Sequence, residues 1–436
     1  MFIKKSGKRC ISIILILSAM LTLCSCGKKE EKYLTEDGRE IIVLAAVVGG
    51  SYLDGLIADF NNYSTDYYIE QRNYVFMDNG LYTGNEKLIM DVTRGERIDI
   101  LYNDCIDMEA YINKGLLADL YQLIDSDEEV SRDTYTGAVK AFESGGRLCS
   151  MPTFYYMRTT IGKESVWQGD RDVSIEHLIE KAEELNAVPI ANLTRNTEQF
   201  SDELRFAYYL QGTLPEYIDF ENNTCNFTDG RFEKLLNFAD MYDIGDENPD
   251  EMFAEGRSLL YHVTIGGFGE WDYYKTFFGP DVVFMGFPAD TPNYHNVSSN
   301  DCFSILESSK NKQGAFEFIK YITSYDYQLE ETFGNFLPVN REVYDFVASS
   351  LEMDEEATWS RINADGVKTE YKPTSAGAAE VAEQLNTVSS GITYGETMAA
   401  IISEEVGAFF SHDKTAAEVC DIIQNRISTY LSENAK

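Results

Sequence analysis

The sequence predicts an α/β protein built on mainly parallel sheets, and three observations carry that prediction. Ile41 to Val48 is an unbroken apolar run closed by Gly49-Gly50, the pattern of a strand covered on both faces. Extended segments then alternate with segments of helical period, which favours a parallel sheet with crossover helices. After a change of pattern between Lys140 and Lys163, a second section of the same kind follows. With 436 residues, 44% of them hydrophobic, the chain can bury two or three domains' worth of core.

Taken in order, Leu53, Leu56, Ile57 and Phe60 mark a helix after the first strand, and Tyr67 to Gln71 a second strand. A helix around Glu86 to Thr93 and a strand Ile98 to Tyr102 come next. The helix near Met108 to Lys114 ends at Gly115, placed to take the left-handed conformation of a C-terminal cap. Gly145-Gly146-Arg147 reads as a turn, Leu148 to Met151 as extended, and Pro152 fixes the backbone ahead of the aromatic run Phe154-Tyr155-Tyr156. The second section holds helices near Ser174 to Leu185, Gln199 to Gln211 and Asp229 to Met241, with strands near Ser258 to Thr264, Val282 to Met285 and Cys302 to Leu306. Ala315, Phe318, Ile319 and Ile322 share a helix face. The last eighty residues read as wholly helical, with one stripe from Met398 to Phe410 and another from Ala416 to Leu431, both assigned to the core.

The chain carries 36 Lys and Arg against 73 Asp and Glu, a formal charge of −37. Counterion release from a phosphate backbone needs clustered cations, so nucleic acid is not an expected partner. The first 25 residues hold four bases and no acid; without them 32 bases face 73 acids, a charge of −41. Behind these bases runs Ile11 to Leu23, an apolar stretch of 13 residues, shorter than the roughly 20 of a spanning helix and typical of a signal peptide. Leu23-Cys24-Ser25-Cys26-Gly27 resembles the lipobox of bacterial lipoproteins, which implies removal of 1–25, diacylation (palmitate-type chains) at Cys26 and a membrane anchor. The charged stretch 26–39 reads as a tether. The five remaining cysteines, Cys105, Cys149, Cys225, Cys302 and Cys420, form no C-x-x-C pair and read as free thiols with room for one incidental disulfide, not as a zinc site.

Further along, Ile98-Asp99-Ile100 with Tyr111 and Gly115-Leu116-Leu117-Ala118-Asp119-Leu120, Gly145-Gly146-Arg147-Leu148 running into Met151-Pro152, and Phe253 to Leu260 stand in a fixed order. Ser308-Ser309-Lys310-Asn311 before Ala315-Phe316-Glu317-Phe318, then Leu337-Pro338-Val339 and Ile401-Ile402-Ser403-Glu404-Glu405, complete it. This order resembles that of the bacterial extracellular solute-binding proteins, family one, the sugar-type substrate-binding lipoproteins of ABC transporters. The resemblance implies a two-lobed periplasmic-binding-protein-like fold (type II), a ligand cleft between lobes that close by a hinge, and delivery of a mono- or oligosaccharide to ABC permease transmembrane subunits. It implies a monomer at the outer face of the cell membrane, with no cofactor, no metal and no catalysis. The expected division is 40–152 plus 288–338 for lobe 1, and 153–287 plus 339–436 for lobe 2.

Ligands of open α/β sheets sit at the carboxyl ends of strands, and candidate contacts are read there. Tyr52 follows Gly49-Gly50, and Tyr102, Asn103 and Asp104 follow the Ile98 strand. Only one of Tyr155 and Tyr156 can face the cleft in an extended segment, and Tyr155 is the expected one. Phe268 matches the family's aromatic platform position, with Trp271 as the alternative, since a flat ring suits the C–H face of a sugar. Asp301, beside Asn300, and Tyr394 are weaker candidates. Trp167 and Trp359 read as packing.

Enzyme readings find little support. The four histidines (His177, His262, His295, His412) lie far apart, and no H-E-x-x-H, G-x-S-x-G or P-loop is present. Asp125 to Glu129 looks like a calcium loop but lacks its glycine and terminal glutamate. No pair of carboxylates stands out for glycoside hydrolysis. The alternatives to sugar capture are a cationic solute such as a polyamine, and a surface lipoprotein that senses its ligand without transport.

Overall fold

In a computed structural model of the chain, the structure describes residues 33–434 except 76, 79–80, 83, 105, 191–213, 220–221, 242–246, 289–294, 300, 333–335, 354–357, 364–365 and 390–395. The lipobox cysteines, Cys105, Asn300, Tyr394 and the helix expected at 199–211 lie outside the described residues.

The first lobe opens with β1 (Glu40–Ala46), α1 (Ser51–Tyr63), β2 (Tyr67–Asn73), α2 (Gly84–Thr93), β3 (Ile100–Tyr102), α3 (Met108–Asn113) and β4 (Met151–Pro152). The chain then crosses into β5 (Phe154–Lys163), α4 (Ile175–Leu185), β6 (Val188–Ile190), β7 (Ser258–Ile265), α5 (Glu270–Phe278), β8 (Val282–Phe284) and β9 (His295–Ser298). It returns with β10 (Cys302–Ile305), α6 (Lys312–Ile322) and α7 (Tyr325–Thr332). A last crossing leads to β11 (Leu337–Pro338), α8 (Arg341–Ser350), the hairpin β12 (Trp359–Ile362) and β13 (Lys368–Tyr371), α9 (Ser375–Gln384), β14 (Val388–Ser389), α10 (Glu396–Phe410) and α11 (Ala416–Asn434).

The first sheet has the order β2-β1-β3-β10-β4. β1 is parallel to β2 and β3, while β10 runs antiparallel to β3 and β4. Ile42, Leu44 and Ala46 pack into one apolar cluster and Ala45 and Val47 into another, on opposite faces. That explains the unbroken apolar run of β1, because neither face meets water.

In the second sheet, of order β6-β7-β5-β9-β14, the ten-residue β5 pairs antiparallel with β7, β8, β9 and β11. Among the described residues, only β6 with β7 and β9 with β14 are parallel. The two-lobed α/β architecture therefore stands, but the expectation of a mainly parallel sheet is corrected for the second lobe. β10 and β5 enter their sheets directly from the other lobe instead of through a crossover helix, and that connection lets them run antiparallel. The same pairing places His295–Ser298 in the second sheet, so the return crossing lies between Ser298 and Cys302 instead of at 288. Leu337–Pro338 also joins β5.

Several motif residues prove to be structural. The buried Asp99 carboxylate accepts from the Val43 N–H at 2.9 Å and the Ser309 hydroxyl at 2.6 Å, tying two motif pieces together. Asn311 caps α6 by accepting from the Gly314 N–H at 3.0 Å. Gly115 has φ +63°, as its capping place requires.

The stripes of α10 and α11 are core: Met398, Ile402, Val406, Val419, Ile423, Ile427 and Leu431 are buried in one cluster with Leu259 and Leu260 of β7. The wholly helical C-terminus is corrected by the β12–β13 hairpin, whose Arg361 donates to Glu270 of α5 at 3.0 Å. Cys149, Cys225, Cys302 and Cys420 are free thiols. Asp125 and Asp127, read as a failed calcium loop, pair with Arg132 and Lys320. Among the described residues, no helix is long and apolar enough to cross a membrane.

Candidate functional site

The carboxyl ends of β1 and β3 meet the two crossing segments at a cluster of phenols and carboxylates. Tyr102, the last residue of β3, donates its hydroxyl to Asp301 Oδ1 at 2.6 Å. The Asp301 backbone carbonyl in turn accepts from both the N–H and the hydroxyl of Thr153, each at 2.9 Å, so the carboxylate is anchored on one crossing by the other. Burial raises the Asp301 pKa, the charge of Asp104 raises it further, and the Tyr102 hydrogen bond works against both. Asp104 is half-buried.

Tyr52, in the first turn of α1, completes the cluster. Its hydroxyl lies within reach of Thr153 and Tyr327, and burial together with the Asp301 charge pushes its pKa up to about 12. Tyr52 as a whole keeps 38% of its surface exposed. Tyr327, from α7, is nearly buried beside it. A cluster of this kind offers hydrogen-bond acceptors and hydroxyls at a strand end, beside a partly exposed tyrosine.

Asn103 does not join it. Its amide donates to Ser150 Oγ and Ser304 Oγ, both at 2.9 Å, and so braces β3 against β10. Three aromatic expectations are corrected by burial. Tyr155 is 2% exposed and stands opposite Leu337 of β11 in the same sheet. Phe268 is buried with its ring 5.0 Å from Tyr344. Trp271, also buried, stacks on Phe284 at 3.9 Å and donates Nε1 to Glu380 at 2.6 Å. Packing of these rings inside the second lobe gains more apolar burial than a place at the cleft edge allows.

On the opposite face of β5, Tyr156 is half-buried beside the Gly266-Gly267 turn that ends β7. Arg158 donates to its hydroxyl at 3.0 Å and lies over its ring at 4.8 Å. Ser298 stands opposite Tyr156 and Asn296 opposite Arg158 in the β9 register. This is a second polar group at the crossing, supplied by the second lobe.

Residues 83–358 match the family described as bacterial extracellular solute-binding protein. The chain belongs to that family. Among solved structures, this solute-binding protein is similar to the cyclic alpha-maltosyl-1,6-maltose binding protein from Arthrobacter globiformis, with 13% identity, TM-score 0.53, and coverage of 91% of this chain and 100% of that one. It is similar to the sugar-binding protein MalE from Xanthomonas citri, at 13% identity and TM-score 0.53 over 90% of this chain and 98% of that one. The ABC substrate-binding protein Lmo0181 from Listeria monocytogenes, in complex with cycloalternan, gives 13% and 0.50 over 90% and 99%. At these identities the likeness shows the two-lobed fold. No curated protein sequence matches the chain.

For this solute-binding protein, sequence reasoning singles out Tyr52, Tyr102, Asp104 and Asp301, which the structure brings together. It misses Thr153, Tyr156, Arg158 and Tyr327. Alternation along β5 could have found Tyr156 once Tyr155 was assigned to the core. Nothing local marks Tyr327, because α7 reaches the cluster only through the tertiary fold.

Proposed function

We propose that this solute-binding protein captures a mono- or oligosaccharide between its lobes by hinge closure and delivers it to the transmembrane subunits of an ABC importer. The observation that carries this reading is the Tyr52, Tyr102, Asp104 and Asp301 cluster at the strand ends, with Tyr156 and Arg158 across the crossing. Carboxylates accept from sugar hydroxyls, and the partly exposed Tyr52 offers a stacking face. The three neighbours described above carry sugars in their names, which supports the same class. Micromolar binding corresponds to roughly −8 kcal/mol, within reach of a few aligned hydrogen bonds and one or two stacked rings.

The chain acts as a monomer, held at the outer face of the cell membrane by acyl chains on Cys26, and it turns over no substrate and uses no metal or cofactor. Two acyl chains anchor stably where one does not. A Cys26→Ala form is expected to incorporate no labelled palmitate; label on that form, or none on the wild type, contradicts the anchor.

A cationic amine is the second reading, favoured by one observation: the charge beside Asp301 is another carboxylate, Asp104, while the expected aromatic platforms are core. Thermal shift separates the two, because a ligand of the native state raises stability by mass action. Maltose, trehalose and longer glucans are expected to raise Tm, and Asp301→Ala to abolish the rise. A rise with spermidine and none with any sugar replaces the first reading by the second.

A further inference from the structure

The two lobes share apolar packing on one side of their sheets only. One cluster runs through both, joining Ile42, Phe60 and Ile319 of the first lobe to Val263, Trp271 and Tyr273 of the second. The opposite sheet faces have clusters of their own, with Ala45, Leu101 and Tyr111 in the first lobe and Leu260, Ile423 and Ile427 in the second. Between these two clusters no shared apolar burial holds the lobes, so a polar contact there weighs on whether they stand together or apart.

Tyr430 of α11 makes such a contact. Its ring packs on the second lobe's own cluster, and its hydroxyl donates to Asp107 Oδ2 at the start of α3 in the first lobe. Both residues are half-buried. Burial and the Asp107 charge hold the Tyr430 phenol well above its usual pKa, so it keeps the proton it donates. The loop that carries Asp107 belongs to the first lobe, because the Asn103 N–H donates to the Cys302 carbonyl at 2.9 Å and the Ile106 N–H to the Asn103 carbonyl at 3.1 Å. Asp104 of the cleft cluster stands in the same loop.

Asp107 also has another place to go. It is the N-cap residue of α3, where an aspartate ordinarily accepts from N–H groups of the first turn. Its side chain makes no capping bond, and its buried Oδ1 meets no partner. At the same place in other helices, Asp119 accepts from the Tyr121 N–H at 3.1 Å, and Asn340 from the Glu342 and Val343 N–H groups at 3.0 and 3.2 Å. The Asp107 carboxylate has left its own helix for a partner in the other lobe, and it regains the cap once the lobes part. We propose that Asp107 and Tyr430 form a latch on the closed state, as positioning residues that touch no solute and raise affinity by raising the closed fraction. This rests on the hinge closure proposed above. A contact made only in the closed form favours that form, and apparent affinity scales with the fraction able to bind.

The test compares the solute-free mature chain with Tyr430→Phe, which keeps the packed ring, and with Asp107→Ser, which keeps a cap but is too short to reach Tyr430. Both variants are expected to lower the closed fraction about fivefold, seen as a larger radius of gyration in small-angle scattering, the regained cap offsetting part of the charge-assisted bond. In Tyr430→Phe the freed carboxylate is expected to cap α3 and slow amide exchange at Glu109 and Ala110, which a loss of packing would not do. Maltose and spermidine serve as probes, and the one that binds the wild type is expected to bind both variants about fivefold more weakly, with faster dissociation. Unchanged scattering in both variants, or exchange at Glu109 and Ala110 that is unchanged or faster in Tyr430→Phe, overturns the latch. Hinge closure fails separately, if a probe binds without compacting either the wild type or Tyr430→Phe. Binding of neither probe counts against the proposed function, and the two solute-free measurements then decide the latch by themselves.

Discussion

At the residue scale, the two adjacent tyrosines of β5 have opposite roles. Tyr155 is buried opposite Leu337 of β11 and beside Thr136, so Tyr155→Ala is expected to cost about 3–5 kcal/mol, as for other large buried rings, seen as a lower urea midpoint at unchanged slope. Tyr156 is half-buried at the crossing, and Tyr156→Ala is expected to weaken solute binding about tenfold while moving the midpoint little. A loss of binding from Tyr155→Ala in a fully folded protein, with none from Tyr156→Ala, contradicts the assignment. The sequence shows that the pair must split between two faces, but the phase of the alternation is set by Leu337 and Thr136, which lie far away along the chain. The Tyr102 to Asp301 hydrogen bond is hidden for the same reason. Each residue is legible as a strand-end polar group, whereas their meeting depends on β10 returning beside β3.

At the element scale, α6 is held against the first sheet at a point with no spare room. A Cβ at Gly314 would stand 2.6 Å from the Tyr67 ring and 2.7 Å from Ile42 Cδ1, closer than a real Cβ comes, so both side chains must leave their places. Gly314→Ala is therefore expected to destabilise by about 1–3 kcal/mol, although alanine is the better helix former. Equal or higher stability would show that α6 shifts freely. Helices and the β1, β2 and β3 strands are legible because their apolar periods are long. Sheet direction is not, since an apolar run in β10 reads alike whichever way its neighbour runs. The β12–β13 hairpin is illegible for another reason: its strands of four residues each are too short for a period, and the Arg361 to Glu270 contact that seats it spans two distant segments.

At the scale of the whole molecule, the acidic coat decides solubility, while a few buried groups decide how stability changes with pH. His295 is fully buried with Nδ1 2.8 Å from Thr159 Oγ1, and burial lowers its pKa to about 4. Burial and the Arg158 charge lower His262 to about 4 as well. Unfolded, both titrate near 6.5, so between that value and 4 the unfolded chain holds protons that the folded one does not. Stability then falls on acidification, by about 1.4 kcal/mol per pH unit for each fully titrating group. Glu109 acts in the opposite sense. Burial and then the Asp107 charge raise it from 4.5 to about 8, so it stays protonated when folded and stability falls as pH rises from 4.5 to 8. Between pH 5 and 6.5 two histidines outweigh one glutamate, and above 6.5 the glutamate acts alone. A maximum near pH 6.5 is the expected result, measured as urea midpoints at high salt to screen the mature chain's charge of −41. Glu109→Gln should remove the decline from 6.5 to 8 and steepen the acid side, whereas His295→Asn should make the acid side shallower. A wild-type midpoint that is flat from pH 5 to 8, or a Glu109→Gln profile that still falls above 6.5, would show that these groups do not govern the balance.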